Sequence, residues 1–265
     1  MKKTVSAVYM TFLFLFLYSP IAVMIAFSFN SSKSRAVWTG FTTDWYSKLF
    51  HNKEIFDSLR VTFTVALAAS VIATVIGTAA AIGIHNMKKR TRGLIMNVTY
   101  LPILNPEIVT GVSLMLLFVF AGIKFGLITL ILAHVSFCVP YVILNVLPKL
   151  RQMDRSLCDA AMDLGCNSRQ VFGKVVIPEI LPGIVTGFLM SFTYSIDDFV
   201  VSNFTYGSGE SQTLSILIYS MTRKKVSPEI NALSAIIFLV VLTVLLVMNI
   251  HDVRKSKREM RRERA

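Results

Sequence analysis

Three carboxylates stand where the sequence is otherwise apolar: Glu107 in "PEIVTGVSLMLLF" (106–118), and Asp197 and Asp198 in "SFTYSIDDFVVSNF" (191–204). A charge inside a membrane helix costs about 2.5–3.5 kcal/mol on insertion scales, so such residues usually face a cavity or a bundle interior and serve a function. Carboxylates gathered in a wet cavity suit a cation, and two adjacent acids suit one with several amines, each taking a charge-assisted hydrogen bond. Tyr194 and Tyr206 are expected to add cation–π faces to that path. Structural alternatives stand beside this reading. Asp198 can act as a gating or pairing group, and Glu107 can meet the positive end of a helix beginning after Pro106. Nothing here points to catalysis: there is no G-x-x-x-x-G-K-[ST], HExxH or GxSxG, and Gly173-Lys174 lacks the rest of a phosphate loop. This chain is expected to hold no cofactor of its own.

The elements that carry these acids are read from where charge is missing. The chain has 265 residues, 54% hydrophobic and 16% charged, against about 25% charged in a soluble domain. No Asp, Glu, Lys or Arg lies between Lys3 and Lys33, from Val61 to Met87, from Phe125 to Pro148 or from Ile230 to Ile250. A helix needs about 20 apolar residues to cross a hydrocarbon core of about 30 Å, and each run is long enough. Two further runs hold the acids. The expectation is an all-α membrane protein, one transmembrane domain over 1–265, with spans at about 5–29, 61–84, 94–122, 126–147, 181–204 and 230–250. The outer loop is expected at 30–60 and a polar loop at 149–181. The first run is too long for a signal h-region of about 7–15 residues, and "AFSFNSS" offers no small-x-small cleavage site, so it is expected to stay as an anchor. Cys138, Cys158 and Cys166 are odd in number and show no CxxC spacing, so they read as small fillers rather than disulfide or metal ligands. His134 reads as a satisfied interior residue rather than a proton relay.

The net charge of +12 does not point to nucleic acid, because of where it sits. With the N-terminus inside, two of every three of the 27 lysines and arginines fall on inner segments. Cytoplasmic loops collect Lys and Arg, so both termini are expected in the cytoplasm. The tail "RKSKREMRRERA" is then an anchor beside anionic lipid. Depths follow from a rise of 1.5 Å per residue: Asp197 lies roughly 21 Å beyond Gly183, and Glu107 roughly 20 Å beyond a start near Leu94. Both spans run outward, so the acids are expected at one level. Pro102 and Pro106 are expected to break the third span just below Glu107, which a cavity lining tolerates. Outside, Thr43 or Asp44 is expected to cap a short helix. Trp45, Tyr46, Leu49, Phe50 and Phe56 form either an interfacial belt or a docking platform, and Arg223, Lys224 and Lys225 face the same choice.

The segment 149–181 is polar and patterned as a helical hairpin. Asp154 can accept the first-turn N–H groups of a helix whose apolar face is Leu157, Ala160, Ala161 and Leu164. Gly165 stands where a left-handed cap is needed. Asn167 or Ser168 can cap a second helix carrying Val171, Phe172 and Val175; Pro178 is expected to stop it, and Pro182-Gly183 to open the next span. So small a hairpin needs lipid, its own helices or a groove on another protein to cover its apolar face.

Asp159-Ala160-Ala161, Leu164-Gly165, Phe172, Val175, Ile177-Pro178 and Pro182-Gly183-Ile184 resemble the "EAA" loop of membrane subunits of bacterial ATP-driven, binding-protein-dependent importers. That loop reads Glu-Ala-Ala, three residues, Gly, nine residues, Ile-x-Leu-Pro. The spacing matches throughout, with departures at Asp159, Cys166, Val175 and Ile177. The stretches 106–118 and 191–204, with "HVSFCVPYV" (134–142) and "VSPEINAL" (226–233), are similar to the second membrane subunit of spermidine/putrescine importers. The resemblance implies a type I ABC importer permease fold in a bacterial inner membrane. It implies ATPase coupling through Asp159, Ala160, Ala161, Leu164, Gly165, Phe172 and Pro178. The implied partners are a homologous permease subunit, a pair of cytoplasmic ATPase subunits and an extracytoplasmic polyamine-binding protein. The alternative is a permease of the same superfamily for ferric iron, thiamine or an anion.

Overall fold

Backbone in hydrocarbon must satisfy its own hydrogen bonds, and the apolar runs are helical. The computed structural model of the chain describes residues 2–32, 37–154, 156–207, 212–224 and 228–243. Its helices are α1 (Lys2–Phe27), α2 (Asp44–His51), α3 (Lys53–Asn86), α4 (Lys89–Leu104), α5 (Glu107–Phe120), α6 (Leu127–Gln152), α7 (Ser156–Asp163) and α8 (Ser168–Val171). After a π turn at Phe172–Val176 come α9 (Ile177–Asp197), α10 (Val200–Thr205) and α11 (Leu214–Lys224), then α12 (Pro228–Thr243). Lys225, the basic tail and the end of the expected sixth span lie outside the described residues. Contacts group the chain into two units, Met1–Lys53 with Ile218–Ala265, and Glu54–Leu217.

In the first unit α1 is open along its length, with Phe12 and Phe16 each 70% exposed, the state of a helix meant for lipid or for another chain. Trp45 and Leu49 are buried on one face of α2. The Trp45 indole N–H donates to the Asn30 carbonyl at 2.7 Å, the Tyr46 hydroxyl shares a hydrogen bond with Ser28 at 2.7 Å, and Phe29 stacks on Phe41 at 5.2 Å. Trp45 and Leu49 therefore pack inward instead of joining an aromatic belt, while Phe50 points outward. Thr43 precedes α2 without a side-chain cap, and Asp44 is the first helical residue.

The second unit is built on an antiparallel seam between α6 and α9. Gly183, Gly187, Ser191 and Ser195 recur every four positions on α9 and are all buried. Facing them in reverse order are Val146, Val142, Cys138 and His134, also four apart and buried on α6. The helices touch backbone to backbone: a Cβ on Gly183 would lie 2.8 Å from the Asn145 carbonyl, and one on Gly187 would lie 3.1 Å from the Val142 Cα. Small residues permit this approach, and close packing holds membrane helices where lipid removes the hydrophobic drive. The Cys138 thiol donates to the Ser191 carbonyl and the Ser191 hydroxyl to the Cys138 carbonyl, each at 3.4 Å. α3 joins the same seam, with Gly77 against Val142 and a shared core of Ala73, Ala81, Ile84, Val146 and Ile180.

The third run breaks just before Glu107, as expected: α4 and α5 meet there at 104°, although Pro102 stays inside α4 and only Pro106 stands at the break. Pro106 offers no N–H and restricts Asn105 before it, which adopts an extended backbone (φ −74°, ψ 142°). Conversely, Pro178 does not stop its helix. The wide π turn before it bonds the Ile177 N–H to the Phe172 carbonyl, and Pro178 then sits in the first turn of α9, where a missing donor matters least. A continuous helix of 30 residues therefore runs from Ser168 to Asp197. It ends there, at an extended Asp198 (φ −63°, ψ 127°), instead of continuing to 204.

Candidate functional site

The bend between α4 and α5 and the end of α9 leave a cavity of about 160 Å³, lined by Pro102, Glu107, Thr110, Phe137, Tyr141, Tyr194, Asp197, Asp198, Phe199, Val200 and Val201. Three expected acids and Tyr194 therefore share one opening. Glu107 stands at the first residue of α5 and Asp197 at the last of α9. Both side chains are exposed. Tyr206, expected on the same path, is not among the lining residues; it follows the last residue of α10. In its place the cavity has Tyr141, whose ring stacks on Tyr194 at 4.3 Å with an interplanar angle of 18°. Sequence reasoning missed Tyr141. It lies one helical turn beyond Phe137 on α6, so a four-residue period was the available signal.

The two adjacent acids are held differently. The Asp198 carboxylate accepts the N–H groups of Val201 at 3.2 Å and Ser202 at 2.7 Å, and the Ser202 hydroxyl at 2.7 Å. It thus fastens the start of α10, and its side chain is only 6% exposed. Asp197 is left facing the opening. Behind them His134 is 1% exposed. Its Nδ1 is 2.6 Å from the Ser195 hydroxyl and its Nε2 is 2.9 Å from the Ser202 hydroxyl, which makes it the satisfied interior residue expected. Gly111 brings α5 onto α10, where a Cβ would lie 2.8 Å from the Phe204 ring.

At the other end of the Ser168–Asp197 helix is the polar hairpin. Asp154 accepts the Ser156 N–H at 2.9 Å, and this bond holds its carboxyl below the usual carboxylate range. Gly165 is left-handed at φ +85°, and the N–H groups of Gly165 and Cys166 bond the carbonyls of Met162 and Ala161 at 2.9 and 3.0 Å, the paired bonds of a Schellman cap. Asn167 and Gln170 exchange reciprocal capping bonds at 3.0 and 2.9 Å. α7, which carries Asp159, Ala160 and Ala161, has no buried residue. Leu157, Met162 and Leu164 are exposed, Leu164 at 86%, and Phe172 is half exposed.

The comparisons agree with this architecture. Residues 73–257 match the family described as "Binding-protein-dependent transport system inner membrane component". The spermidine/putrescine transport system permease protein PotC of Escherichia coli K12 is 35% identical, covering 94% of this chain and 93% of that protein. The putrescine transport system permease protein PotI of the same organism is 38% identical over 84% of this chain and 82% of its own. Among solved structures, a bacterial ABC transporter involved in import of the acidic polysaccharide alginate superimposes with a TM-score of 0.71 at 15% identity, covering 94% of both chains. The MetNI methionine ABC transporter does so at 0.56 and 17%, over 81% of this chain and 98% of that one. The fold is that of a type I ABC importer permease, and the chain belongs to the family of inner-membrane components of binding-protein-dependent transport systems.

Proposed function

We propose that this chain is one permease subunit of an ATP-driven polyamine importer, taking spermidine or putrescine. The observation that carries the reading is the cavity in which Glu107, Asp197 and Asp198 meet beside the Tyr141–Tyr194 stack. It occurs in a chain 35–38% identical to permeases of spermidine and putrescine systems. Carboxylates replace the water lost by each ammonium group, and the tyrosine faces favour the cation further.

The working importer pairs this chain with a homologous permease, two cytoplasmic ATPase subunits that bind ATP and Mg, and an extracytoplasmic polyamine-binding protein. Both termini face the cytoplasm, in keeping with the bias of Lys and Arg. The α7–α8 hairpin docks in the ATPase: the exposed Leu157, Met162 and Leu164 lack cover within their own unit, and Ala160 and Ala161 allow a close approach. A loaded binding protein docks outside, ATP binding closes the ATPase pair, and the helix from Ser168 to Asp197 carries that movement to the acids.

The test is import of labelled spermidine into vesicles holding the whole complex. Asp197→Asn and Glu107→Gln each remove one charged partner, worth about 1.5–3 kcal/mol. Import is expected to fall roughly ten- to hundredfold with assembly unchanged. Undiminished import by both variants would exclude a polyamine route through this cavity and favour another substrate.

A further inference from the structure

We propose that His134 is a positioning residue for this cavity: from behind the lining it ties α6 to both sides of the break at Asp198 and so fixes where the two acids point. The inference rests on the polyamine reading above.

Three observations carry it. First, the imidazole joins three helices. Ser195 lies in the last turn of α9 and Ser202 in α10, so the residues it holds flank Asp197 and Asp198. Second, the hydrogen bonds form a chain with one direction. A serine hydroxyl has a single hydrogen, and that of Ser202 goes to Asp198 Oδ2 at 2.7 Å. Nε2–H must therefore donate to Ser202 at 2.9 Å, which leaves Nδ1 to accept the Ser195 hydroxyl at 2.6 Å. Every donor and acceptor is matched, and the neutral tautomer is set by the carboxylate at the end. Third, His134 is one layer behind the lining, with its ring 5.1 Å from that of Phe137, which does line the cavity.

Packing alone does not call for an imidazole here. The same face of α6 is filled by Cys138, Val142 and Val146, and burying a polar ring is costly unless its partners are present. A matched polar network, by contrast, defines one geometry, and Ser202 links this ring to the carboxylate that fastens the start of α10.

The experiment uses the complete transporter in vesicles, with saturating loaded binding protein, and reads spermidine imported per ATP hydrolysed. His134→Met keeps bulk and loses both bonds. His134→Gln can accept from Ser195 and donate to Ser202, the same polarity as the neutral ring. The expected result is an assembled, ATP-hydrolysing His134→Met complex that imports about tenfold less spermidine per ATP, the equivalent of about 1.4 kcal/mol. His134→Gln is expected to stay within about threefold of the unsubstituted ratio. Equal failure of both variants, or an unchanged ratio in His134→Met, overturns the proposal. If His134→Met does not assemble, Ser195→Ala, which removes only the bond to the imidazole, decides: a loss per ATP supports it and an unchanged ratio overturns it. Import by the unsubstituted complex is the control. No import there refutes the polyamine reading and this inference with it, whereas import there with no effect at His134 refutes this inference alone.

Discussion

Asp198→Asn keeps the shape of the side chain and exchanges one carboxylate oxygen for an amide nitrogen. Oδ2 now accepts two hydrogen bonds from Ser202, each at 2.7 Å, while Oδ1 accepts the Val201 N–H at 3.2 Å. Whichever way the amide turns, one N–H at the start of α10 faces another donor. A buried donor without its acceptor costs about 1–3 kcal/mol, and loss of the charge at a helix start adds about 0.3–1 kcal/mol. The sum is about 1.3–4 kcal/mol. For a chain of this size, about 2–4 °C per kcal/mol makes that a drop of roughly 3–16 °C in the melting midpoint. Asp197 is its neighbour and is exposed; Asp197→Asn is expected to change stability by less than about 0.5 kcal/mol. Intrinsic fluorescence of the purified complex on heating checks both. The argument fails if Asp198→Asn melts with the unsubstituted protein, or if Asp197→Asn melts as early as Asp198→Asn.

Gly187→Leu is expected to force α6 and α9 apart, at about 1–3 kcal/mol or more, and to reduce folded protein in the membrane. Gly83→Leu, whose Cβ meets nothing within 4 Å, is the tolerated control on immunoblots of the membrane fraction. Gly165→Val puts a branched side chain at φ +85° in open space, so its cost of about 1–2 kcal/mol is conformational; less ATPase is expected to co-purify than with Gly165→Asn. Tyr194→Leu removes a stack worth about 0.5–1.5 kcal/mol and is expected to lower spermidine import several-fold, whereas Tyr206→Leu leaves import per assembled complex unchanged.

Local chemistry was legible in the sequence; pairing was not. Gly165, Asp154 and Asn167 cap as expected because a cap is decided within a few residues. The meeting of Glu107 with Asp197 was legible because helical rise converts residue number into depth. Tyr206 was misplaced for the converse reason: it lies eight residues after Asp198, beyond the end of α9 and just past the end of α10, so the rise of α9 does not reach it. Pro178 misled because a proline reads as a stop unless the π turn before it is known. The stripe Gly183, Gly187, Ser191 and Ser195 is visible in the sequence, but its meaning depends on which residues of α6 face it. His134 likewise needs Ser202, which lies 68 positions away.

The unbroken course from Ser168 to Asp197 turns angle into distance. Thirty helical residues make a strut of about 45 Å. A swing of about 5° about its foot displaces the far tip by about 4 Å, more than the whole length of an ammonium–carboxylate hydrogen bond, about 2.7–2.9 Å. On the proposed polyamine path, a tilt of this strut together with its seam partner α6 would be enough to loosen a grip at Asp197.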